Sequence, residues 1–202
     1  METPARDAVP VRPELTLPPD EAAAVRAAFE RAGTILEYGS GGSTVMAAGM
    51  PGKTVVSVES DAAWAERMQA WFADHPPAEG TTVEVLRADI GPTTEWGHPA
   101  DDSGWRRYAR YPLKVWERAG LAPEVVLVDG RFRVGCALAA LFRAPAPLTL
   151  MFDDYAPRRH YHVVEDYLGR PDMVGRMAVW KVTPRPVPAE RLMQIVTLMT
   201  RP

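Results

Sequence analysis

Apolar and polar positions along the chain fall into a succession of short, wholly apolar runs separated by longer amphipathic ones. Thr34 to Tyr38, Thr54 to Val58, Val125 to Val128 and Leu148 to Phe152 are brief and dominated by Val, Ile and Leu, as strands covered on both faces are. Thr82-Val83-Glu84-Val85-Leu86 alternates, which predicts a further strand. Between these runs the period changes to that of a helix. Pro18-Pro19-Asp20-Glu21 opens a helix to about Ala32, its acidic first turn lying against the positive end of the helix dipole. A second helix passes through Val45 to Ala48, and a third starts near Asp61. In the third, Trp64, Met68, Trp71 and Phe72 form one stripe expected to pack on the sheet. Val134, Leu138, Leu141 and Phe142 make a similar face. Strand and helix in regular alternation predict a parallel sheet with helices on both faces. The last third predicts a helix from about Arg158 to Leu168, short β segments around Met173-Val174 and Ala178 to Val182, and a terminal helix opened by Pro188.

One stretch breaks the rhythm. From Gly91 to about Pro112 the chain is polar and aromatic, with Trp96, Trp105, Tyr108 and Tyr111 among charges, and it is longer than an ordinary strand-to-helix link. Such loops at the rim of a sheet often carry substrate contacts. Pro112 to Arg118 predicts a short helix.

The chain has 202 residues, 47% apolar and 24% charged, enough for one substantial core; we expect a single domain over 1–202, with residues 1–17 an extended leader. A formal charge of −3 argues against a general nucleic-acid or membrane-surface partner. Neither a signal-peptide stretch nor a membrane-spanning run stands out. Cys136 is the one cysteine, which excludes a disulfide framework and a thiolate zinc site within the chain and suits a reducing, cytoplasmic setting. Whether chains act as monomers or homodimers stays open.

The densest chemical signal lies at Ile35-Leu36-Glu37-Tyr38-Gly39-Ser40-Gly41-Gly42-Ser43-Thr44, where an apolar strand enters a glycine-rich turn and then an alanine-rich helix. Bare backbone at Gly39, Gly41 and Gly42 would let a ligand approach the main chain closely. The next strand ends at Glu59, about twenty residues past the first glycine, where a carboxylate can accept from both hydroxyls of a ribose. A dinucleotide fingerprint wants Gly or Ala at the position of Thr44, so a nicotinamide oxidoreductase fits less well. Glu37, two residues before the first glycine, can meet a cationic amino group directly or through water.

Glu37-Tyr38-Gly39-Ser40-Gly41 followed by Glu59 resembles the first two motifs of the class I S-adenosylmethionine-dependent methyltransferases, over about Thr34 to Val182. The resemblance implies a doubly wound, mostly parallel seven-stranded α/β sheet of order 3-2-1-4-5-7-6. It also implies a cofactor site in which Glu37, Gly39, Ser40 and Gly41 hold the methionine end. Glu59 would take the ribose, with Asp89 and Ile90 at the adenine. Ser43 stands where that family often has a third glycine. A catalytically idle nucleoside-binding module would keep the same half of the motif.

On the acceptor side Asp129 ends one predicted strand and Asp153-Asp154 the next, so three carboxylates converge and repel unless protonated, hydrogen-bonded or neutralised. A magnesium or manganese ion held by Asp129, Asp153 and Asp154 would relieve them. This spacing resembles the metal-dependent catechol and caffeoyl-CoA O-methyltransferases, with Asp154 in place of their asparagine and Phe132 in place of their lysine base. Val128-Asp129-Gly130, Phe152-Asp153-Asp154 and Arg158-Arg159 are also similar to the glucuronoxylan 4-O-methyltransferases, whose acceptor is an acidic sugar. Arg131, Arg133, Arg158 and Tyr161 either surround a small, anionic acceptor or neutralise the aspartates. Asp129, Asp153 and His160 are the candidate catalytic groups, and the expected reaction is methyl transfer to an acceptor oxygen.

Overall fold

The computed structural model describes residues 12–202; the part of the leader expectation that covers residues 1–11 lies outside them. Its strands are β1 (Thr34–Tyr38), β2 (Thr54–Glu59), β3 (Thr82–Arg87), β4 (Val125–Val128), β5 (Leu148–Phe152), β6 (Asp172–Val174) and β7 (Met177–Val182). They lie in the order β3-β2-β1-β4-β5-β7-β6, parallel except for β7, which runs antiparallel to both β5 and β6. The order, the seven strands and nearly every boundary match the expectation.

Period-2 alternation sends the strand side chains to two different layers. Leu36, Tyr38, Val56, Val126, Val128, Leu150 and Phe152 pack with α5 (Arg133–Arg143), which is buried along almost its whole length because α7 (Leu192–Met199) covers its outer side through Ile195, Leu198 and Met199. Ile35, Val55, Val125, Leu127 and Met151 face the other way, onto α1 (Pro19–Arg31) and α2 (Gly42–Ala48). α3 (Ala62–Asp74) starts at Asp61, whose carboxylate caps it by accepting from Trp64 N at 2.8 Å, and it buries Met68 and Trp71 as expected. Two short helices, α4 (Arg110–Leu113) and α6 (Glu165–Leu168), complete the set of α-helices among the described residues.

The structure departs from the periodicity in one place. Arg159 to Val164 winds as a 3-10 turn and only Glu165–Leu168 as α-helix, because Tyr161, His162 and Tyr155 are drawn into one aromatic cluster over Phe152. Trp64 packs with Met68 and Val85 as its stripe requires, and its indole Nε1 also donates to Ser40 O at 2.7 Å, at the end of β1.

The parallel strands β2, β1, β4 and β5 end together, and the chain leaving each is tied to its neighbour. Gly39 N donates to Val58 O (2.8 Å), Asp129 N to Tyr38 O (2.9 Å) and Asp153 N to Val128 O (3.1 Å). This edge is where an open α/β sheet collects ligands.

Candidate functional site

A cavity of about 1240 Å³ opens along that edge. It exceeds the roughly 300–1,000 Å³ that suits one drug-sized ligand, so two small molecules fit side by side.

The turn after β1 forms its floor. Gly39 has φ +99° and lies so close to the β4 turn that a Cβ there would stand 2.8 Å from Gly130 Cα, so both a left-handed backbone and a bare carbon are required. Gly41 faces open space. The segment Glu14 to Leu17 crosses over this turn and forms a wall of the cavity; its backbone occupies the place a Cβ on Gly42 would take. This described part of the leader, Glu14 to Leu17, is therefore a strap across the glycine turn.

Glu59 stands beside it, almost fully buried. Its Oε1 accepts from Ser60 N (2.7 Å) and Asp61 N (2.9 Å), its Oε2 from Ser40 N (3.2 Å), and burial raises its pKa against the pull of those amides. Three amides leave one lone pair on Oε2 free for a ligand hydroxyl. The rest of this wall is Ser60, Asp61, Trp64 and the loop Thr93 to His98. Ser60 Oγ donates to Gly97 O (2.9 Å) and Thr94 N to His98 O (2.7 Å), which fixes the loop against the end of β2.

Three expected cofactor contacts are not on the wall. Glu37 points into the α2 side, fully buried, where its carboxylate accepts from the hydroxyls of Ser43, Thr44 and Ser57; Thr44 Oγ1 in turn accepts from Gly41 N at 2.9 Å. Burial lifts its pKa to about 7. It shapes the turn from behind instead of presenting a carboxylate to the ligand. Asp89 is held by the Gly91 amide (3.1 Å) and by Arg107, which keep its pKa low, and Ile90 is wholly buried under Gly104. Both residues take part in folding the Gly91 to Pro112 segment, and Asp89 keeps part of its carboxylate exposed.

On the opposite wall Asp129, Asp153 and Asp154 do converge, with one oxygen from each within 4.8 Å of the others. Their repulsion is relieved by arginine. Arg133 reaches Asp129 (3.1 Å), Arg158 reaches Asp154 (2.8 Å), and Arg176, in the β6–β7 turn, forks onto Asp153 (2.6 Å) and Asp154 (3.1 Å). One oxygen from each aspartate lies close enough to the others to share a divalent ion, which would have to displace the guanidiniums already bonded to them. Asp153 is 1% exposed and fully committed to Arg176. Asp129 keeps an open side, and burial, with Asp153 and Asp154 adding to it, lifts its pKa to about 6 against the opposing pull of Arg133.

His160 and Tyr161 are off the cavity: His160 is exposed on the 3-10 turn, and Tyr161 lies beneath Arg158, accepting from it at 3.2 Å. Arg131, Arg133 and Arg158 are on the wall as expected, although Arg133 is consumed by Asp129, Gly130 O and Asp153 O. Sequence reasoning missed His98 and Arg176. The length of the Gly91 to Pro112 loop was the only sign of the first, and nothing local marks the second.

No family model and no curated protein matches the sequence. Among solved structures, a methyltransferase-like protein from Silicibacter pomeroyi is 60% identical, the match covering 95% of this chain and 99% of that one with a TM-score of 0.92. The O-methyltransferase TomG of Streptomyces achromogenes, solved with S-adenosylmethionine, is 19% identical over 84% of this chain and 81% of its own (TM-score 0.55). Cofactor-bound Rv0187 from MTB is 18% identical over 87% and 85% (TM-score 0.57). The last two share the fold.

Proposed function

The chain belongs to the class I S-adenosylmethionine-dependent methyltransferase family, and on that premise we propose that it transfers a methyl group from S-adenosylmethionine to an oxygen of a small-molecule acceptor. One observation carries the cofactor half of the reading: Glu59, locked by three amides with a lone pair left over, beside the bare backbone of Gly41. A carboxylate so fixed costs nothing to orient when ribose hydroxyls arrive. Gly39, Ser40 and Gly41 bring main chain against the amino-acid end, and the strap Glu14 to Leu17 excludes water from above.

The cofactor, when bound, supplies an electrophilic methyl group on a sulfonium. The remaining work falls to the opposite wall. Asp129, with an open face and a pKa near 6, accepts the proton of the acceptor hydroxyl. Asp153, held by Arg176, and Arg133 keep Asp129 in place. No step is assigned to a metal. We read the chain as one domain acting in the cytoplasm, as a monomer or homodimer and without nucleic acid. The buried free thiol of Cys136 supports the reducing compartment, and among the described residues no helix is long and apolar enough to cross a membrane.

The test joins binding to turnover. Calorimetry with S-adenosylhomocysteine should show tight binding that Glu59→Gln weakens about ten- to a hundredfold, the worth of a charge-assisted hydrogen bond; NAD should not bind. Unchanged affinity in the variant rejects the ribose role. Formation of S-adenosylhomocysteine is then followed with a panel of hydroxylated acceptors, and cofactor binding without turnover on any of them would point to an idle binding module.

A further inference from the structure

The four guanidiniums around the acceptor wall are not equally compensated. Arg133, Arg158 and Arg176 each have an aspartate oxygen at 3.1 Å or closer, and Asp154 is shared among all three. Arg131 is different. It lines the cavity with only 9% of its surface exposed, and among the described residues no carboxylate lies within 4.0 Å of it. Its Nε is buried without a hydrogen-bond partner, and its one side-chain partner is the imidazole Nε2 of His98, which accepts from Nη1. A neutral imidazole is a weak partner for a charge that has lost its water, and guanidinium presents a fork of five donors shaped for an oxyanion. Burial and the charges of Arg131, Arg158 and Arg133 all hold His98 unprotonated, in agreement with its role as acceptor.

We propose that Arg131 anchors one anionic group of the methyl acceptor, a carboxylate or a phosphate, and that His98 occupies the guanidinium until that anion takes its place. The word "acceptor" rests on the methyl-transfer reading; the anion site stands on Arg131 and His98 alone. One uncompensated charge suits one anionic group. Asp129, Asp153 and Asp154 do not repel it as free carboxylates would, because their charges are spent on the other three arginines. On displacement His98 Nε2 is released with a free lone pair at the acceptor wall.

The experiment uses the full chain labelled at histidine and first measures S-adenosylhomocysteine binding. The imidazole signals are then followed by NMR as glycolate, or in a separate arm inorganic phosphate, is added with and without saturating S-adenosylhomocysteine. His98 is identified by its loss in His98→Asn. We expect a saturable shift of the His98 signal with a millimolar or tighter dissociation constant in at least one arm; the tighter arm names the anion. Arg131→Gln should weaken binding at least about tenfold, one hydrogen-bonded charge pair, and Arg131→Lys should recover part of it. Should those variants fold poorly, His98→Asn gives an independent reading by calorimetry: with the competing acceptor gone, the same anion binds as tightly as before or more so. No saturable shift in either arm, equal affinity in a folded Arg131→Gln, or loss of anion binding in His98→Asn overturns the proposal. Failure of S-adenosylhomocysteine to bind would count against the methyl-transfer reading and leave the anion titration to be judged by itself.

Discussion

Glu37 shows how a residue can be legible in type and misread in position. A carboxylate two residues before a glycine turn was expected at the ligand; the alternation of β1 instead aims it toward α2, where three hydroxyls satisfy it. Its raised pKa has a consequence for stability. In the unfolded chain the group ionises near 4.5 and in the native protein near 7, so its contribution is complete below pH 4.5 and is lost as pH rises to about 7. The loss is roughly 3 kcal/mol. Urea titrations between pH 4 and 8 should show a decline that is smaller in Glu37→Gln by about that amount, the remainder coming from the raised carboxyls of Glu59 and Asp129; parallel curves would refute it. Asp129 works in the opposite sense, through activity. It accepts a proton only when ionised, so methyl transfer should fall about tenfold per pH unit below pH 6, and Asp129→Asn should lower kcat by about a hundredfold or more with S-adenosylhomocysteine affinity retained. A flat profile from pH 5 to 8 would remove it from the mechanism.

At the level of elements, most of what the hydrophobic pattern predicted is present because strands buried on both faces and helices buried on one leave clear periods. The 3-10 turn at Arg159 to Val164 and the bond from Trp64 Nε1 to Ser40 O escaped because each answers to a partner outside its own element, Phe152 in one case and Ser40 in the other. The strap Glu14 to Leu17 escaped for the same reason: an extended, proline-flanked segment has no period, and only Gly42 opposite it reveals where it lies. Gly42→Ala tests this contact. Its φ is that of an ordinary helix start, so alanine is tolerated locally while its methyl displaces the strap. We expect faster proteolysis within residues 12–17 and weaker S-adenosylhomocysteine binding, with the melting temperature nearly unchanged. A variant as resistant and as tight as the native chain would show that the strap does not close the site.

For the molecule as a whole, the arginine and aspartate cluster joins the ends of β4 and β5 to the β6–β7 turn, so it fastens the antiparallel edge to the parallel core. Arg176 carries this link, since its backbone also bonds Glu21 of α1 (2.7 Å) and Ala156 (3.0 Å). Arg176→Ala leaves Asp153 buried and unpaired. We expect a loss of about 3 kcal/mol, the lower end for a broken buried pair because the arginine side is partly wet. That corresponds to a melting temperature lower by roughly 6–12 °C for a chain of this size. A change of less than a degree would mean that the aspartate is neutral or solvated after all.

Local order was in the sequence. Apolar runs determined the strands, the period between them the helices, and Gly39, Gly41 and Glu59 one wall of the cavity, because each of these depends on residues near one another along the chain. The acceptor wall depended on contacts the chain order does not encode. Arg176 meets Asp153 across 23 positions and His98 meets Arg131 across 33, and only the closed sheet decides which cation neutralises which acid. The same convergence of three aspartates that spacing alone allows for a metal ion is, once folded, paired with arginine, and on that wall, among the described residues, Arg131 is left without a carboxylate.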